Sequence, residues 1–133
     1  MTDKKLHLKI ITHERVIFDA DVDEIYSKST EGEFGVLPGH IPFICALDIG
    51  VTKAIVDSKP VLFATMGGIF QLQANEAVIL TQTAEKGSEI DAFRAQEAKE
   101  RAEARLNEAD EYDVNRAEIA LARAIARLKA SKG

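Results

Sequence analysis

Arginine is the side chain best suited to gripping phosphate oxygens, because its planar guanidinium donates two parallel hydrogen bonds. Three arginines of this chain are spaced to act together: Arg94, and Arg123 with Arg127 four residues later. Asp91 stands three residues before Arg94, so these two share one helix face, as Arg123 and Arg127 share another. If the segments carrying them fold back to back about residues 110–112, the guanidiniums converge beside Glu85. Such a cluster can hold phosphates, with a carboxylate left for the hydroxyls or amino group of a nucleotide. The same residues can instead pair with one another as solvated ions, at only ~0.2–1 kcal/mol each. Residue types alone leave both readings open.

The other reactive types offer less. His7, His13 and His40 are the only histidines, and none has a metal-ligand spacing. His40, in Pro38-Gly39-His40, reads as a structural or surface residue of a turn. Cys45 lies in the apolar run Phe43–Leu47 and reads as a buried, inert thiol. Being alone, it excludes an internal disulfide and a cysteine-rich zinc site, and it fits a reducing compartment. Gly67-Gly68 follows a strand-like run, but neither Lys-Ser/Thr nor a helix follows it. It reads as a bulge or a close backbone approach, not as a phosphate loop. No nucleophile, base and orienting group can be assembled, so the chain reads as non-catalytic and in need of no cofactor.

The elements that position these residues follow from composition. The chain has 133 residues, 46% hydrophobic and 29% charged, with a net charge of −5. That balance supports a buried core and argues against nucleic acid as the main partner. No run approaches the ~20 apolar residues of a membrane span, and Met1–His7 has no apolar leader, so no targeting peptide is expected. All three prolines and seven of eight glycines fall in residues 1–90, whereas residues 91–133 hold 12 alanines against 7 before them. Glycine and proline punctuate turns and alanine favours helix, so a β-rich part (1–87) precedes a helical part (88–133).

In the first part, short apolar runs predict strands at Leu6–Ile10, Val16–Phe18, Val22–Ser27, Gly35–Leu37, Phe43–Leu47, Val51–Val56, Val61–Met66, Ile69–Gln73 and Ala77–Thr81. Asp57–Pro60 and Ala74–Ala77 read as tight hairpin turns. This spacing predicts an antiparallel β-sandwich or flattened barrel. In the second part, Ser88-Glu89-Ile90-Asp91 reads as a capping-box-like helix start. Ala95, Ala98, Ala102, Leu106 and Ala109 make one helix face; Val114, Ala117, Leu121, Ala124 and Leu128 make another, after the polar run Glu108–Asp113. An antiparallel two-helix hairpin is expected, although the same stripes would suit a partner-binding helix. Residues 91–113 carry net −4 and residues 114–133 net +4, which favours the pairing. The alanine-rich seam buries little, against ~1.5–3 kcal/mol for each buried Leu or Val. Such a hairpin is either a switch that can leave the sandwich intact or a marginal tail.

These residues carry a family signature. The run from Glu31 through Gly32-Glu33-Phe34-Gly35-Val36-Leu37-Pro38-Gly39-His40-Ile41-Pro42 resembles the Gly-Glu-x-Gly, Pro-Gly-His-x-Pro turn of the epsilon subunit of F-type ATP synthases. Ile10–Phe18 and Gly67-Gly68-Ile69-Phe70 are similar to its opening strands and double glycine. Ile90-Asp91-Ala92-Phe93-Arg94-Ala95 resembles the motif that opens its C-terminal helices, and the resemblance spans nearly the whole chain. It implies a non-catalytic central-stalk subunit that couples the c-ring and gamma subunit to the alpha/beta catalytic head. Glu31, Glu33, Pro38, Gly39 and His40 would be the rotor contacts. The hairpin would inhibit ATP hydrolysis when extended. Glu85, Asp91, Arg94, Arg123 and Arg127 would bind ATP as a regulatory ligand that favours the compact form. The resemblance also implies the cytoplasmic face of a bacterial plasma membrane, reached only through the complex. A stand-alone adaptor, a β-sandwich with a helical hook, explains the two parts but not the Pro-Gly-His turn.

Overall fold

The computed structural model describes residues 5–108 and 114–132. Residues 6–86 form eight strands: β1 (Leu6–Ile11), β2 (Val16–Val22), β3 (Glu24–Ser29), β4 (Gly32–Val36), β5 (Phe43–Val56), β6 (Lys59–Gln73), β7 (Glu76–Leu80) and β8 (Ala84–Lys86). Their order is β2-β1-β7-β6-β5-β3-β4, with β8 on β6. Pairing is antiparallel except between β1 and β7. Four expected strands are two: Phe43–Leu47 and Val51–Val56 are one β5, and Val61–Met66 and Ile69–Gln73 are one β6. Glycine had argued for breaks there, yet the register runs on, Leu47 opposite Gly68 and Ile49 opposite Met66. These two long strands are shared by both layers of the sandwich. The late half of β6 pairs with β7, while its early half pairs with β8.

Gly68 takes φ +119°, and a Cβ there would lie 2.0 Å from the Leu80 carbonyl oxygen. The double glycine is therefore a close backbone approach, with no extra residue in the ladder. The two hairpin turns are shorter than expected. Only Asp57-Ser58 and Ala74-Asn75 turn, all four residues with positive φ, as a two-residue type I′ turn requires. Lys59, Pro60, Glu76 and Ala77 already belong to strands. β8 had no sequence signal, because three residues are too few to show alternation.

The core follows the alternation of the strands. Leu6, Leu8 and Ile10 of β1 are buried, and Phe63, Phe70, Ile25 and Ile79 close around them. Phe18 meets Phe63 edge-on at 5.1 Å, and Phe34, Phe43 and Phe70 form a second aromatic group. Hydroxyls buried in this core satisfy one another: Ser27 bonds Thr52 (2.8 Å), and Thr52 bonds Thr65 (3.0 Å).

The helical part begins later than the capping box predicted. Gly87–Glu89 form one 3-10 turn, Ile90 is extended, and α1 spans Ala92–Glu108. Asp91, not Ser88, caps the helix: its carboxylate accepts from the Arg94 N–H (3.1 Å) and its carbonyl from Ala95 N–H. The reason is tertiary, since Ile90 packs between α2 (Val114–Ser131) and the sheet and is held outside the helix. The expected turn and fold-back at residues 109–113, Ala109 included, lie outside the described residues.

The two helices pack together, with Ala95 and Ala102 buried on α1 and Ala117, Ala124 and Leu128 on α2. This is the seam the stripes predicted. A second face of α2 had not been anticipated: Ala126 and Ala130 pack on Ala64 and Met66 of β6, joined by Ile49, Val51 and Leu62. Thus α2 lies between α1 and the sheet. Small residues let the helix approach closely, and a Cβ on Gly87 would meet the Ala130 carbonyl oxygen at 2.2 Å.

Candidate functional site

Where the helices meet the sandwich, a cleft of about 490 Å³ opens, within the range of small-molecule sites. Glu85 enters from β8, Asp91 and Arg94 from the start of α1, Arg101 from its middle, and Arg127 from the late part of α2. The Arg127 Nε donates to Glu85 Oε1 at 2.6 Å, the one side-chain hydrogen bond between helix and sandwich among the described residues. Both side chains stay partly exposed, 32% and 42%, so solvent weakens the pair. No carboxylate among the described residues pairs with the guanidinium of Arg94 or Arg101.

Four of the five expected residues, Glu85, Asp91, Arg94 and Arg127, line this cleft. Arg123 sits exposed one turn before Arg127 and is not in the lining. Arg101 and Glu89 are, and both had been missed. Arg101 follows Arg94 by two helical turns, a seven-residue spacing that places both on one face and was visible in the sequence. Three carboxylates, Glu85, Glu89 and Asp91, thus face three guanidiniums. A phosphate group entering here would have to compete with Glu85 for Arg127, while Arg94 and Arg101 offer their donors without such a rival.

The expected rotor-contact residues occupy two places. Glu31 and Glu33 belong to the β3–β4 hairpin, where the Glu31 N–H donates to Ser29 Oγ and Glu33 stands opposite Lys28. Pro38, Gly39 and His40 lie in the loop between β4 and β5. His40 Nδ1–H donates to the Ile41 carbonyl (2.8 Å), and the ring packs on Phe43 at 5.1 Å. Beside it Leu37, Ile41 and Ile44 are exposed by 55%, 73% and 65%, an apolar surface of the sort partners cover.

Two further side-chain groups form across strands. His7 bonds Asp19 and Asp21 across the β1–β2 pair. Tyr26 lies over Gly35, hydrogen-bonded to Glu24, with the Lys53 ammonium 5.0 Å from its ring centre. Cys45 is half-buried and unpaired by disulfide; burial, then the charge of Glu31, pushes its thiol pKa up. None of the helices described is long and apolar enough to cross a membrane.

Known proteins resemble the chain along nearly its whole length. Residues 5–87 match the family model for the beta-sandwich domain of the ATP synthase delta/epsilon chain, and residues 88–132 the one for its long alpha-helix domain. The ATP synthase epsilon chain of Desulforamulus reducens is 41% identical over 130 residues, covering 97% of this chain and 98% of that one. That of Bacillus velezensis is 40% identical over 126 residues, covering 94% and 96%. A chain in the Euglena gracilis mitochondrial ATP synthase structure (OSCP/F1/c-ring) superposes with TM-score 0.84 at 26% identity, covering 100% of this chain and 87% of that one. A chain of the Tetrahymena thermophila central stalk and c-ring shares the fold, with TM-score 0.55 at 17% identity over 67% and 72% of the two chains. Sandwich, helical hairpin and full-length similarity agree, and the chain belongs to the delta/epsilon chain family of the ATP synthases.

Proposed function

We propose that this chain joins the rotor of an ATP synthase and also regulates its ATP hydrolysis through a nucleotide-responsive hairpin. The family is the non-catalytic epsilon subunit of the central stalk. In this reading residues 1–87 dock on the gamma subunit and c-ring, with Glu31, Glu33, Pro38, Gly39 and His40 as contacts. Residues 88–133 rest on the sandwich or extend along gamma toward the alpha/beta head and impede rotation in the hydrolysis direction. The complex holds the chain at the cytoplasmic face of a bacterial plasma membrane.

The observation that carries the nucleotide part is the cleft's construction. Its charged residues come from β8, α1 and α2, so a ligand bridging them fastens the hairpin to the sandwich. ATP suits it, with Arg94, Arg101 and Arg127 on phosphates and a carboxylate on the ribose or base. Arg123, exposed next to Arg127, would reach a triphosphate only at the rim. A ligand that binds only the docked form stabilises it by RT ln(1 + [L]/Kd), ~2.7 kcal/mol at ~100 times Kd. Where α2 offers the sheet mainly alanine methyls, that shifts the balance toward the docked form.

Calorimetric titration of the isolated chain with ATP tests the site. Heat should be released by the native chain and lost in Arg94→Ala and Arg127→Ala; no heat in the native chain removes the nucleotide claim. Inhibition is tested separately, by comparing ATP hydrolysis of the complex rebuilt with the full chain and with residues 1–87. Equal rates would leave the chain a rotor subunit without a brake.

A further inference from the structure

The turn between β6 and β7 is built from residues that turn formation alone would not select. Two-residue type I′ turns favour Asn-Gly, whereas this one is Ala74-Asn75, with φ of +52° and +64°. Alanine has no preference for this conformation, and at the second position glycine would cost less than asparagine. The asparagine does something glycine cannot. Its side-chain oxygen accepts from the Gly39 N–H at 2.8 Å, 36 residues away in sequence. Its backbone carbonyl accepts from His7 N–H, also at 2.8 Å, which anchors the turn to β1.

Gly39 itself has φ +87° and is exposed. Among the described hydrogen bonds, the β4–β5 loop is otherwise held only by its own His40 N–H to Leu37 carbonyl bond and the His40–Ile41 contact. Asn75 is thus the one polar tie from that loop to the rest of the sandwich among the described residues. It holds the peptide before His40, whose ring packs on Phe43, and so sets how Leu37 and Ile41 are displayed.

We propose that Asn75 is a positioning residue for rotor docking: through Gly39 it holds the Pro38–His40 loop in the shape that meets the stalk. This rests on the reading that the loop touches the rotor. Preformed loops bind more tightly because ordering is not charged against association.

The test uses the whole chain and the gamma–c-ring subcomplex, with amide exchange of free chains as a second readout. Asn75→Gly keeps the turn conformation and removes the acceptor; Asn75→Asp keeps an acceptor oxygen. Asn75→Gly should retain the native melting temperature, exchange the Gly39 amide faster, and bind the subcomplex roughly three- to ten-fold more weakly, as loss of one hydrogen bond implies. Asn75→Asp should restore both. Unchanged Gly39 exchange in Asn75→Gly, or failure of Asn75→Asp to restore binding, overturns the proposal. If His40→Ala weakens binding while Asn75→Gly does not, the positioning role is wrong and the rotor reading stands. Native affinity in both variants overturns the two together.

Discussion

His7 shows how one side chain can make stability depend on pH. Its Nε2 lies 2.5 Å from Asp19 and its Nδ1 2.8 Å from Asp21. Both nitrogens can donate only when the ring is protonated, so the bonds to Asp21 and then Asp19 raise its pKa above the ordinary 6.5. The folded chain therefore holds that proton more tightly than the unfolded one. The stabilisation is fully present below the unfolded value and is lost as pH climbs through the raised folded value. The urea midpoint should fall as pH rises from the ordinary histidine value of 6.5 through the raised folded value, and His7→Gln should flatten that slope. An unchanged slope in His7→Gln would place the titration elsewhere. At Cys45 the raised thiol pKa predicts slow reaction with a disulfide reagent in the native chain and rapid reaction once it unfolds. The apolar run around Cys45 implied a buried thiol, yet alternate residues of β5 face outward and the structure leaves the thiol only half-buried; the His7 cluster left no sign in the sequence. Asp19 and Asp21 come opposite His7 only through the β1–β2 register.

Among the elements, strand lengths depended on glycines whose role could be read in two ways. Gly67-Gly68 looked like a boundary between strands, yet β6 passes through it because a backbone carbonyl needs the room. Gly68→Ala should cost more than ~2 kcal/mol in chemical denaturation, since backbone stands on both sides of the contact and neither can turn away. Gly32→Ala, with φ +134° but nothing within 4 Å, should cost only the backbone strain of ~1–3 kcal/mol, and less than Gly68→Ala, which adds a clash to a similar strain. Equal costs would mean that the Leu80 approach is not tight. The helix seam was legible because burial against a neighbouring helix repeats every three or four residues. The sheet-facing side of α2 was also written in Ala126 and Ala130, but a one-stripe reading hid it.

For the molecule as a whole, the question is how firmly the hairpin is held. Among the described residues, its contact with the sandwich is Ala126 and Ala130 on Ala64 and Met66, with the partly buried Ile49, Val51, Leu62 and Ile90 alongside, the Glu85–Arg127 pair, and backbone packing at Gly87. Alanine methyls bury little area, the ion pair is partly solvated, and the Gly87 contact tolerates no side chain. Gly87→Ala should therefore lift α2 away while the β core stays folded. Amide exchange should quicken through α2 and stay slow in β1, β5 and β6, and ATP affinity should drop because the cleft loses Arg127. Uniform quickening would instead mean that the sandwich and hairpin unfold as one unit.

The amino-acid sequence by itself determined the β-then-helix order, the sandwich, the helix seam and the family motifs, because these rest on local periodicity and turn chemistry. It also held most of the cleft's charged residues, since spacing along α1 sets Asp91 beside Arg94, and the pairing expected of the two helix stripes brings Arg127 to the same end. Only the tertiary structure decided that Asp91 caps α1, that Arg101 rather than Arg123 lines the cleft, and that Asn75 reaches Gly39. Each of these depends on which surfaces meet across long stretches of chain, and such meetings leave no repeat in the sequence to be read.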